Sequence, residues 1–330
     1  MRRALAILTA LAACGDNIRG IEIDELDASR HAAECERLVR CDLFSDEETC
    51  VAFFRPSVDP NLRTQVDRGL VRFDPLAAAA CNRAVAEIGC SVTERDVRVT
   101  PDVCNRVLVG TVHTDGTCVA DRECGSRHCS APICSRSACC AGGCDAYVGP
   151  AQLGEDCVGD IGCVDGAFCG KELTCLPLGG PSRPCEADSQ CAYGLGCVGA
   201  TEFQPGACRV LPLLGEPCPY LRCAQIGARC SPDQVCVPAG TTGAGCTSDA
   251  ECSQYYECDL ATHRCAALPQ LGQHCGSRCA GASSCDASGE RVCIAPQPNA
   301  APCTADNQCA TQYCEEGPIF DQCASAAICF

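Results

Sequence analysis

Apolar and polar positions follow two different rhythms along this chain, and the change falls near residue 113. Before it, apolar residues recur at helical spacing. In residues 27–43 the pattern places Ala32, Cys35, Leu38 and Val39, with Phe44 just beyond, near one helical face. Ser45-Asp46-Glu47-Glu48 has the spacing of a capping box and predicts a short helix reaching residue 54. Asp74-Pro75 joins an N-cap residue to a proline at the first helical position, so a helix is predicted over the Ala-rich residues 76–88, with Gly89 as its stop. Residues 103–112 predict a last helical turn leading into a linker. The sum is a small disulfide-linked α-helical domain over residues 24–112.

Beyond residue 113 the helical period is lost. Apolar stretches become short and are broken by Cys, Gly and Pro, which predicts short hairpins and turns with little regular structure. The cysteines carry a repeat instead. Units begin at Cys118, Cys157, Cys185, Cys218, Cys246, Cys275 and Cys303, and after the first they start 28 to 33 residues apart. Cys157, Cys163, Cys169 and Cys175 show the internal spacing, as do Cys246, Cys252, Cys258 and Cys265. The other sets are Cys118, Cys124, Cys129 and Cys134; Cys185, Cys191, Cys197 and Cys208; and Cys218, Cys223, Cys230 and Cys236. They continue with Cys275, Cys279, Cys285 and Cys293, then Cys303, Cys309, Cys314 and Cys323. Joints such as LPLGGPSRP, LPLLGEP and LPQLGQH separate the units and read as short linkers between beads.

Composition fixes how such units hold together. Of 330 residues 39 are cysteine, only 4% are aromatic, and Trp is absent, so apolar cores are small and cross-links must substitute for them. One bridge closing about 15 residues contributes roughly 3 kcal/mol by restricting the unfolded chain. The helical part holds Cys35, Cys41, Cys50, Cys81, Cys90 and Cys104, enough for three bridges of its own. The seven units contain 7, 4, 4, 4, 4, 4 and 5 cysteines, so closure within each four-cysteine unit leaves odd numbers at both ends. That arithmetic predicts bridges crossing unit boundaries, or a different phase. Adjacent Cys139 and Cys140 should have different partners. Spacing alone assigns no individual pairing.

Disulfides require an oxidising compartment, and the N-terminus supplies the route. Arg2 and Arg3 precede an apolar run over residues 4–13, too short to span a bilayer. The run ends in Leu11-Ala12-Ala13-Cys14, which resembles the lipobox of bacterial lipoprotein signal peptides. The resemblance implies a signal peptide over residues 1–13, lipid attachment at Cys14 and a tether over residues 14–23. It also implies a membrane partner through the lipid anchor. Gly15 follows the cysteine where inner-membrane lipoproteins of enteric bacteria usually carry Asp, which favours the outer membrane and cell surface. Removing Cys14 leaves an even 38 cysteines. A net charge of −17 argues against nucleic-acid partners.

The repeated CxxDxxC-x5-C pattern, as in CTSDAECSQYYEC and CEADSQCAYGLGC, resembles the N-terminal cysteine-rich domain of Dickkopf proteins. Degenerate copies fill residues 113–330. With RGLVRFDPLAAAACNRAVAEIGC ahead of them, the chain is similar to myxobacterial surface lipoproteins carrying Dickkopf-like repeats. The resemblance extends to the module and not to its signalling role in animals.

Other chemistry finds little support. Structural zinc sites favour C-x2-C pairs, and none occurs; His31, His113, His128, His263 and His274 are scattered. Thioredoxin-like redox chemistry lacks its motif for the same reason. The recurrent Asp121, Asp160, Asp188, Asp249 and Asp306 could suggest calcium, but one carboxylate per unit falls short of six or more oxygens. A hydrogen bond to nearby backbone amides in an Asx-turn explains them better. No nucleophile elbow, phosphate loop or metalloprotease motif is present, and Asp46, Glu47 and Glu48 are explained by capping. Neither an enzyme nor a cofactor is therefore expected. The expectation is a surface-displayed structural or protein-interaction module that meets a protein or another cell surface. A disulfide-rich protease inhibitor is one alternative, and an enzyme housed in residues 15–112 the other.

Overall fold

The computed structural model describes residues 19–54, 60–130, 142–146, 150–157, 162–276, 278–281, 283–286, 291–295, 314–315 and 322–323. Helix α1 (Leu26–Arg40) lies between α2 (Glu47–Phe54) and α4 (Pro75–Glu87). It is therefore covered on two sides: Cys35 and Leu38 are buried, and so is Ala33, while Ala32 is exposed. A single apolar stripe could not reveal the second contact. Asp46 rather than Ser45 caps α2, its carboxylate accepting a hydrogen bond from the Thr49 N–H at 2.7 Å. Asp74 caps α4 as its Asp-Pro signature predicts, accepting from Leu76 and Ala77 N–H groups.

Between these lies α3 (Pro60–Asp67), followed by strand β1 (Val71–Phe73). The helical turn predicted over residues 103–112 is a 3-10 turn at Asp102–Arg106. It leads into strand β2 (Leu108–Gly110), which pairs antiparallel with β1. The short α5 (Arg95–Arg98) completes this part of the chain. Three bridges join its six cysteines: Cys35–Cys50, Cys41–Cys90 and Cys81–Cys104. The second closes 49 residues and so removes the most chain entropy, about 4 kcal/mol.

The repeats are disulfide-rich units built on short antiparallel strand pairs. Six units share one pairing, first cysteine to third and second to fourth. Cys157–Cys169 and Cys163–Cys175 exemplify it, as do Cys246–Cys258 and Cys252–Cys265. The first unit closes with Cys118–Cys129 and Cys124–Cys144. Its fourth member is thus Cys144, whereas spacing suggested Cys134. The same scheme gives Cys185–Cys197, Cys191–Cys208, Cys218–Cys230, Cys223–Cys236, Cys275–Cys285 and Cys279–Cys293. The second to sixth units close on themselves; the odd cysteines that suggested bridges across unit boundaries belong to the first and last units, where Cys134, Cys139, Cys140, Cys303, Cys309 and Cys329 fall. Cys134, Cys139, Cys140, Cys303, Cys309 and Cys329 lie outside the described residues; Cys314 and Cys323 are register partners in a two-stranded pairing. Crossed loops suit hairpins: the third and fourth cysteines face each other across the strands, as Cys258 and Cys265 do. Each can then reach back to a different earlier cysteine.

The joints are not free linkers. Gly179 forms a parallel bridge with Cys191, and Gly240 with Cys252. At the second joint, Gly240 N–H donates to Glu251 O at 2.8 Å and Ser253 N–H returns a bond to Gly240 O at 2.7 Å. A side chain on Gly240 would meet the Cys265 sulfur at 2.7 Å, so the joint presses directly on a bridge.

Nor do the units trail away as separate beads; all six contact residues 41–112. Buried Gln65 bonds buried Glu123 of the first unit at 2.8 Å. Arg95 pairs with Asp165 of the second at 2.9 Å. Arg98 donates to the Cys191 and Leu195 carbonyls of the third. Ser91 forms an antiparallel bridge with Gln225 of the fourth. In the fifth, Tyr256 is fully buried in a cluster with Cys35, Leu38, Leu43, Phe44 and Cys50. In the sixth, Gly281 lies so close to the Phe53 carbonyl that an added side-chain carbon would stand 2.5 Å from it. Scarce aromatics are concentrated where this folding-back is tightest. Of six Tyr and eight Phe in the chain, five (Phe44, Phe53, Phe54, Tyr255 and Tyr256) meet there, with Phe44 stacked on Tyr255 at 4.5 Å.

Candidate functional site

The chemistry within a unit begins with its bridges, which fix both ends of each hairpin. The aspartate of CxxDxxC holds the third cysteine. Asp121, Asp188 and Asp249 each accept a hydrogen bond from the backbone N–H of Cys129, Cys197 and Cys258, at 2.8, 2.7 and 2.7 Å. The acceptor role agrees with the hydrogen-bonding reading of the motif, but the amide lies eight or nine residues away. An Asx-turn is therefore not the device; the carboxylate ties a 3-10 turn to a strand. One residue before the second cysteine sits another brace. Glu123, Gln190 and Glu251 accept from the N–H groups of Val119, Glu186 and Thr247 at 2.6 to 2.8 Å. This second acceptor was missed in the sequence, although the recurring Glu or Gln before Cys was its signal. Asp160 and Asp306 lie outside the described residues.

Asp188 has a further partner. Burial opposes its ionisation, yet bonds from Arg222 at 2.7 Å and from the Cys197 N–H prevail and hold its carboxyl below the ordinary value. An aspartate this engaged has few oxygens left for a cation. The cysteine sulfurs also cluster: those of Cys185, Cys191 and Cys208 lie within 4.8 Å of one another. Each is bonded to another sulfur, so none is the thiolate that zinc requires. His128 pairs with Asp145 at 2.7 Å, and His31 stacks on Phe54.

The rigid units leave apolar side chains at their tips. The strands Leu195–Val198 and Gly206–Val210 form the longest hairpin of the third unit, with Cys197 opposite Cys208. At its end Thr201 and Gln204 exchange backbone hydrogen bonds, and Phe203 projects 92% exposed. Leu173 and Leu260 are likewise exposed at the tips of the second and fifth units. Beside Phe203 a groove of about 320 Å³ runs between the second and third units, lined by Phe168, Leu176 and Pro205. A Lys171–Glu186 ion pair spans the two units there at 2.5 Å. Exposed aromatic surface costs nothing to keep if a partner covers it, and large aromatics dominate interface energetics. The signal in the sequence was an aromatic residue among turn formers, TEFQPG.

Among the described residues no helix is long and apolar enough to cross a membrane. Residues 1–18, including Cys14, lie outside them. No family model matches the chain, and no solved structure matches it.

Proposed function

We propose that this chain is an exported, lipid-anchored envelope protein whose Dickkopf-like repeats present rigid loops to a protein partner at the cell surface. In this reading residues 24–112 form a helical domain on which the repeats are mounted, and Cys14 carries the lipid. The observation that carries the binding role is Phe203, 92% exposed on a hairpin fixed by Cys185–Cys197 and Cys191–Cys208. A disulfide-fixed loop loses little conformational entropy on binding, which favours affinity. Two or more acyl chains at Cys14 would anchor the protein durably.

Binding of the labelled, oxidised mature protein to intact cells tests the reading. Saturable binding that Phe203→Ala weakens supports it; absence of binding, or binding indifferent to Phe203→Ala, rejects it. Intact-mass measurement of the native protein reports acylation at Cys14 separately. A protease-inhibitor role rests on the same rigid hairpins. Inhibition of a serine or cysteine protease by the oxidised protein, lost with cleavage near residue 203, would favour it.

A further inference from the structure

One bridge of the helical part differs from the others in its electrostatic surroundings. Cys81–Cys104 ties α4 to the 3-10 turn at Asp102–Arg106. The guanidinium of Arg30, on α1, reaches both of its sulfurs: Nη1 contacts Cys81 Sγ and lies 3.3 Å from Cys104 Sγ. No other bridge among the described residues has a cationic side chain within hydrogen-bonding distance of its sulfurs. Elsewhere carbonyl oxygens take that place: Cys230 Sγ stands 3.2 Å from Cys218 O, and Cys293 Sγ 3.2 Å from Pro269 O. Arg30 forms no ion pair among the described residues, and burial lowers its guanidinium below the ordinary value. Glu34, one turn along α1, partly offsets that burial but is itself paired with Arg37 at 2.9 Å. A half-buried cation thus rests against sulfur with no counter-ion of its own.

A disulfide is uncharged, whereas the thiolate released when it opens is not, so a fixed cation favours the open state over the closed one. Exchange proceeds by attack of an external thiolate on one sulfur, and it is faster the better the leaving thiolate is stabilised. The two sulfurs are not equivalent here. Cys81 is buried and takes the closer contact from Arg30, whereas Cys104 is half-buried and borders a cavity of about 280 Å³. Arg122 and Arg127 line that cavity with a single acidic residue, Asp121, so an anion is favoured there. We propose that Cys81–Cys104 is a thiol–disulfide exchange site for small thiols, attacked at Cys104 and leaving on Cys81. The thiol loses its proton to solvent, and its sulfur bonds to Cys104 Sγ as the Cys81–Cys104 bond breaks. The electron pair of the broken bond passes to Cys81 Sγ, which becomes the counter-ion of Arg30. The thiol is the reductant and ends in a mixed disulfide on Cys104. The step unties the turn at Asp102–Arg106 from α4, just before the chain enters the repeats. It involves neither Phe203 nor the lipid, and it stands or falls separately from both.

Timed exposure of the oxidised mature protein to reduced glutathione, quenched by alkylation and read by peptide mapping, tests the assignment. Cys81–Cys104 should open at least about tenfold faster than Cys218–Cys230 and Cys279–Cys293, whose sulfurs face carbonyl oxygens. Glutathione should be found on Cys104 and the alkyl group on Cys81. Arg30→Gln should slow this opening by about tenfold and leave the two reference bridges unchanged. Arg30→Lys, which keeps the charge, should restore much of the rate. Opening no faster than the reference bridges, or glutathione carried by Cys81, overturns the proposal. Both readouts come from the unaltered protein, so they decide the matter even if Arg30→Gln does not fold. In a folded Arg30→Gln variant, a rate equal to or above that of the parent overturns it as well.

Discussion

The hydroxyl of Tyr256 accepts a hydrogen bond from the backbone N–H of Ser45 at 3.0 Å, across 211 residues of chain. Around that bond, Ser253 Oγ donates to Leu43 O at 2.9 Å, and the Phe44 ring lies 6.0 Å from that of Tyr256. The fifth unit is thus docked on the loop between α1 and α2. Tyr256→Phe removes only the hydroxyl and should cost about 1 kcal/mol. Tyr256→Ala empties a fully buried site and should cost about 3–5 kcal/mol. Denaturant unfolding under non-reducing conditions measures both. A negligible Tyr256→Ala effect would show that the fifth unit does not dock on the helices.

Asp249 should matter through the Cys258 amide that it binds. Asp249→Ala leaves that amide without its acceptor, for an expected loss of about 1–3 kcal/mol. Asp249→Asn retains an acceptor and should lose less. Thermal unfolding of the two variants, with the Cys246–Cys258 and Cys252–Cys265 bridges checked by peptide mapping, separates loss of the brace from mispairing.

Acid should loosen the third unit. The Asp188 carboxyl sits below its ordinary value in the folded protein, with Arg222 and the Cys197 amide outweighing burial. A depressed carboxyl contributes stability that is fully present above the unfolded value and lost as pH falls through the folded one. Stability measured from neutral pH down through the carboxylate range should therefore decline, and Arg222→Met should flatten part of that decline. An unchanged profile would show that the Arg222 pair does not stabilise the unit.

Gly227 tests how closely the fourth unit rests on the helices. It has φ of +74°, and an added side-chain carbon would lie 2.6 Å from the Cys41 carbonyl oxygen. Gly227→Ala should cost about 1–3 kcal/mol from backbone strain and overpacking. Gly243→Ala, also at positive φ but facing open space, should cost only the strain, about 1 kcal/mol. Equal losses in the two would mean that the approach to Cys41 carries no energy.

Local signals in this sequence proved easier to read than distant ones. Asp74-Pro75 announced α4, and the change of cysteine rhythm at Cys118 announced the hairpin units. Both are decided within a few residues by cap chemistry or by chain length between bridges. Ala32 was misplaced because burial of α1 depends on two neighbours, and strand β2 was missed because its partner lies at Val71–Phe73. The pairing within units depends on strands facing across a hairpin, which spacing leaves open. The folding-back of the repeats was the least visible feature. It rests on contacts such as Ser91 with Gln225 and Gln65 with Glu123, whose members carry no mark of each other. Phe203 was passed over as well, since only its place among the turn formers of TEFQPG marks it and its exposure depends on the hairpin.

Docking across 211 residues also sets an order of events. Translation at roughly 5–20 residues per second releases the phenylalanines of the first helices about ten to forty seconds before the tyrosines that cover them. During that interval the growing polypeptide carries a bare, sticky patch close to its leading end. Whatever escorts it from the ribosome must shield those rings until the fifth repeat arrives. A fragment ending before that repeat would keep them uncovered and tend to self-associate.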